Sequence, residues 1–133
     1  MISPKIYEKQ IQDLEIEGME IFPQNKDDAL SLLDELEHIE KILERIRINI
    51  RMDIRALRRD YMDKLREIGD FSRAEGKNVK KSLKNKIKEK RDLIDDRDLR
   101  IAPYESIEYL IDDYLKQINS AKSYVKNYSQ KNP

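Results

Sequence analysis

Between Leu36 and Ile68, large apolar residues recur at Leu36, Ile39, Leu43, Ile46, Ile50, Ile54, Leu57, Tyr61, Leu65 and Ile68. Every step is three or four residues, and the mean is about 3.6, the period of one face of an α-helix. Neither glycine nor proline interrupts the chain from Asp27 until Gly69. Asn25 suits an N-cap, Asp27 and Asp28 suit the positive end of a helix, and Gly69 suits a C-cap. The spacing predicts one helix over about 26–68, some 42 residues and roughly 63 Å long at about 1.5 Å per residue. A stripe of that length must be covered by a hairpin partner in the same chain, by a second subunit, or by both.

The rest of the chain offers candidates for the cover. Residues 78–100 read as a second helix with a thin apolar stripe of Val79, Leu83, Ile87, Leu93 and Ile94. Ala102-Pro103 reads as a boundary, because the residue before a proline avoids the helical region. A third helix is expected over about 103–128, with Ile107, Ile111, Tyr114, Ile118, Ala121, Val125 and Tyr128 on one face. Alternating steps of four and three there give a 3.5-residue repeat, the pattern of supercoiled helix packing. Near the start, Pro4 suits a first helical turn, and Tyr7, Ile11 and Leu14 share a face. This predicts a short helix from about Pro4 to Glu15, then irregular chain to Pro23. Residues 70–77 read as a connection, and 129–133 as a fraying tail. The expected class is all-α: an elongated helical hairpin or three-helix bundle, built on one long helix with coiled-coil-like packing. Its expected organisation is a short helix and extended arm over 1–24 and a single helical domain over 25–128.

Composition narrows the function. The 133 residues include no Cys, no Trp and a single His. Disulfide scaffolds, thiol catalysis and cysteine-based zinc sites are therefore excluded. No apolar run approaches the ~20 residues of a membrane span. Residues 1–10 lack the apolar core of a secretion signal, so a cytoplasmic location without membrane contact is expected. No Gly-rich phosphate loop or nucleophile–base pair is visible, so no enzyme activity and no cofactor are expected. Glu35 and His38 have the Glu-x-x-His spacing of di-metal bundles, but such sites need a second copy and more inward carboxylates. A surface histidine is the expectation instead. Asp92, Asp95, Asp96 and Asp98 lack the alternating ligands and central glycine of a calcium loop.

Lys+Arg and Asp+Glu both number 27, yet the two signs are segregated. Residues 1–44 hold 4 basic and 12 acidic groups, a net of −8, whereas 45–91 hold 17 and 7, a net of +10. Residues 92–116 carry a net of −5 and 117–133 a net of +3. Along the long helix, Glu37, Glu40 and Glu44 flank the stripe first, and Arg47, Arg51 and Arg55 continue on the same side. An antiparallel homodimer would pair Glu37 with Arg55, Glu40 with Arg51, and Glu44 with Arg47. The same axis would oppose Leu36 to Leu57, Ile39 to Ile54, and Leu43 to Ile50, with Ile46 near the centre. Flanking charges can set helix orientation in this way.

Residues 77–91 hold 8 basic groups and one acid. Lys80, Lys81, Lys84, Lys88, Lys90 and Arg91, helped by Arg47–Arg59, could contact phosphates. No aromatic residue interleaves this run, so base stacking is not expected. The expected function is a non-enzymatic helical interaction or scaffold module, partnered by itself or by another helical protein. Its interface would be Leu36–Leu57 and the charged border. The alternative, less favoured, is a nucleic-acid-associated accessory protein.

Overall fold

The computed structural model describes residues 1–69 and 79–131, with side chains described from residue 82 onward in the second stretch. The connection expected over 70–77 and the side chains of Lys80 and Lys81 lie outside the described residues. Among the described residues the protein is all-α, with helices α1 (Pro4–Gln12), α2 (Lys26–Ile68) and α3 (Val79–Lys131), and a 3-10 turn at Ile16–Gly18. Helix α2 packs against α3 in a hairpin-like arrangement. No described helix is long and apolar enough to cross a membrane.

The ends of α2 follow from their residues. Asn25 accepts the Asp28 amide on its side-chain oxygen at 2.8 Å, and the Asp28 carboxylate in turn accepts the Gln24 amide at 2.9 Å. These two bonds satisfy amides that have no partner inside the helix. Gly69 ends it with φ +84°, and its amide donates to the Arg66 carbonyl at 3.0 Å. A side chain at that φ would be strained, which is why a glycine ends the helix there.

The chain divides into two compact units. The first comprises residues 1–50 and 106–133. Its core takes Leu36, Ile39, Leu43, Ile46 and Ile50 from α2, and Ile107, Ile111, Ile118, Ala121 and Val125 from α3. Helix α1 has 9 residues, too short to persist alone, and it buries Tyr7 and Ile11. Burial of two such side chains contributes about 1.5–3 kcal/mol each. After α1, Glu15 adopts a left-handed conformation with φ +53°, and Tyr114 donates to Glu17 Oε1 at 2.9 Å.

The second unit comprises residues 51–105. Ile54, Leu57 and Tyr61 of α2 and Ile101 and Tyr104 of α3 are buried in it. Toward the start of α3 the core thins. Leu83, Lys86, Lys90, Leu93 and Arg97 are half-buried, at alternating steps of three and four, whereas Ile87 and Ile94 are exposed. The long stems of Lys86 and Lys90 are thus half-buried, as such stems can be, whereas Ile87 and Ile94, which the sequence reading placed on the stripe, are exposed.

The expected boundary at Ala102-Pro103 is absent: α3 runs through Pro103 for 53 residues as one helix, where two were expected. A proline inside a helix removes one backbone hydrogen bond and crowds the preceding turn. Two features offset this. Ile101, Tyr104 and Ile107 straddle Pro103 and are 3%, 5% and 2% exposed, so burial holds both sides helical. Leu99, whose carbonyl loses its donor, is 75% exposed, so water can replace the missing bond. The helix also continues past its expected end at 128, to Lys131. We predict that Pro103→Ala, at an exposed position, raises stability by about 1–3 kcal/mol. Urea unfolding followed by circular dichroism measures it, and Leu43→Ala, at a fully buried site, should lower stability by about 2–5 kcal/mol in the same assay.

Candidate functional site

Leu36, Ile39, Leu43, Ile46, Ile50, Ile54 and Leu57 are each 0–5% exposed within a single chain. The seam expected between two copies is thus already covered by the chain itself. A second copy could reach these residues only if the hairpin opened.

The charged border is divided. In the first unit, Glu40 Oε2 accepts Lys122 Nζ at 3.3 Å, and Arg47 Nη1 donates to Asp112 Oδ1 at 3.1 Å. In the second, Arg58 faces Glu105 at 4.0 Å. Partner numbers on α3 fall as those on α2 rise, the rule of an antiparallel pair. Two residues of the acidic-then-basic strip of α2, Glu40 and Arg47, thus find their complement on α3. Glu37, Glu44, Arg51 and Arg55 stay exposed. The exposed ion pair of Arg58 contributes only a few tenths of a kcal/mol, roughly.

Two hollows flank these contacts. In the first unit, Glu40, Glu44, Arg47, Asp112, Leu115, Lys116 and Asn119 line a groove of about 340 Å³. The Nε of Arg47 is buried there without a partner. In the second unit, a hollow of about 710 Å³ is lined by Lys64, Glu67, Ile68, Glu89, Asp92, Leu93 and Asp96. Beside it Tyr61 is 1% exposed, and its hydroxyl bonds the Asp96 carboxylate and accepts Arg100 Nη1 at 3.2 Å. Lys64 Nζ lies 4.7 Å from the ring centroid, within cation–π range. The hydrogen bond to Tyr61 holds the Arg100 guanidinium above its ordinary value. This network was missed in the sequence, although Asp96 and Arg100, four residues apart, could have been read as one helix face.

Among their described lining residues, neither hollow has a histidine or a hydroxyl side chain. Glu35 and His38 are exposed, and no described group of three His, Asp or Glu residues is arranged to hold a metal. Among the candidate phosphate contacts, Lys84, Lys88 and Arg91 are exposed, whereas Lys90 is half-buried with a partner already in place. Comparisons with protein-family models, curated proteins and solved structures gave no match.

We predict that Tyr61→Phe, which removes the shared hydroxyl, lowers stability by about 1 kcal/mol in chemical unfolding. Alkaline pH should act on two other tyrosines. Burial raises the phenol of Tyr104, and burial with the Glu17 hydrogen bond raises that of Tyr114. Folding therefore favours their neutral forms. That contribution is complete below the ordinary tyrosine value of about 10 and is lost as pH rises through the raised values. The unfolding midpoint should fall above about pH 10, and Tyr104→Phe with Tyr114→Phe should flatten the fall.

Proposed function

We propose that this chain is a non-enzymatic, cytoplasmic interaction module that associates with a second copy of itself through its charged outer surfaces. The observation carrying this reading is the charge of each unit. Residues 1–50 and 106–133 hold 10 basic and 15 acidic groups, a net of −5; residues 51–105 hold 17 and 12, a net of +5. The apolar stripe of α2 from Leu36 to Leu57 is covered within the chain, and the two units carry opposite net charge. Two copies can set the acidic unit of one against the basic unit of the other. Such complementarity steers and orients association more than it strengthens it. Glu37 and Glu44 on the acidic unit, and Arg51 and Arg55 on the basic one, face outward where they can take part.

Sedimentation equilibrium of the full chain from 1 to 100 µM tests this. A dimer is expected at about 50 mM salt, weakened at least about tenfold near 300 mM by screening. Arg51→Glu with Arg55→Glu should weaken it further. A monomer at 100 µM in low salt overturns the reading.

A further inference from the structure

Phe22 is 77% exposed, more than any other large apolar side chain described in the chain. It is held in place, since Pro23 behind it is buried, Ile21 is half-buried, and the Gln24 amide is bonded to the capped start of α2. A residue before proline is restricted to extended conformations, so Phe22 is presented from a stiff backbone. Acidic residues surround it in sequence: Glu15, Glu17 and Glu20 precede it, and Asp27 and Asp28 follow. Glu15 and Glu20 are exposed. A held backbone beside exposed carboxylates has less ordering entropy to lose on binding than a loose arm, which favours Phe22 as an interface anchor.

The basic unit holds a surface of opposite character. Lys84, Lys88 and Arg91, at i, i+4 and i+7, share one exposed side of α3, away from the half-buried residues Leu83, Lys86, Lys90 and Leu93. No ion pair or hydrogen bond to a described residue engages these three cations. Ile87, 45% exposed, lies at the edge of their row. With Asn85 and Asp92, these four line a hollow of about 740 Å³. Four residues of helix rise about 6 Å. Two residues of extended chain rise about 6.6 Å. Arg91, four residues from Ile87, is thus spaced to meet Glu20 while Phe22, two residues on, reaches Ile87. A nucleic acid could use the cations but has no use for an exposed isoleucine among them, and none of the described residues lining the hollow is aromatic for a base to stack on.

We propose that the arm around Glu20 and Phe22 of one copy docks on the Ile87 hollow of a second copy, with Phe22 as its apolar anchor and Lys84, Lys88 and Arg91 as its counter-charges. This rests on the self-association proposed above and names its contact.

Sedimentation of full-length variants at low salt tests it, with circular dichroism confirming that each remains helical. Phe22→Ala and Ile87→Asp should each weaken the dimer at least about tenfold. Arg91→Glu should do the same, and adding Glu20→Lys to Arg91→Glu should restore most of the loss. A charge-conserving control in the acidic unit, Lys5→Arg with Lys9→Arg, should leave the dimer unchanged. A dimer indifferent to both Phe22→Ala and Ile87→Asp overturns this contact while leaving self-association standing. Loss with Arg91→Glu but not with Phe22→Ala overturns Phe22 as the anchor and assigns the basic face another occupant. Duplex DNA or single-stranded RNA that binds the chain and dissociates the dimer equally in wild type and Phe22→Ala overturns it in favour of a phosphate surface. A wild-type monomer overturns both proposals.

Discussion

The fold depends on one requirement: the long apolar stripe of α2 must be kept from water along its whole length. Seven of its side chains, from Leu36 to Leu57, lie almost entirely out of solvent within one chain. Burial of each contributes about 1.5–3 kcal/mol, far more than an exposed ion pair can. This sets the order of causes. Apolar burial holds α2 against α3, and the charged pairs Glu40–Lys122 and Arg47–Asp112 then fix register at the border.

Much of this was legible in the sequence because its signals are local. The bounds of α2 came from Asn25, the uninterrupted stripe and Gly69; α1 came from Pro4, Tyr7 and Ile11. The cover of the stripe was not legible, because a pattern of period 3.6 says that a face is buried and not by what. The regular pairing between the acidic and basic halves of α2 pointed to a second copy. An antiparallel helix from the same chain meets the same rule, and α3 supplies it with Lys122, Asp112 and Glu105. Pro103 misled for a related reason. Its local preference opposes a helix, but tertiary burial of Ile101, Tyr104 and Ile107 outweighs that preference.

The candidate surfaces were legible only in part. The basic run 77–91 was visible as composition, but not its division into inward Lys86 and Lys90 and outward Lys84, Lys88 and Arg91. That division depends on which face α3 turns inward, and the thin stripe left this ambiguous. Phe22 carried no signal in the sequence beyond its place in an irregular acidic arm. Its exposure, beside a buried proline, is a tertiary fact.

Pro103 also bears on how α3 comes apart. Every other residue within that helix can contribute an amide to the ladder of bonds that makes helix opening cooperative. At Pro103 the ladder has a missing rung, close to where the chain passes from one compact unit to the other. Loss of helix that starts at Lys131, or at Val79, reaches a point where continuing gains no momentum from the next bond. One stretch of α3 can therefore open while the other stays closed, and amide exchange would record two protection levels along one unbroken helix.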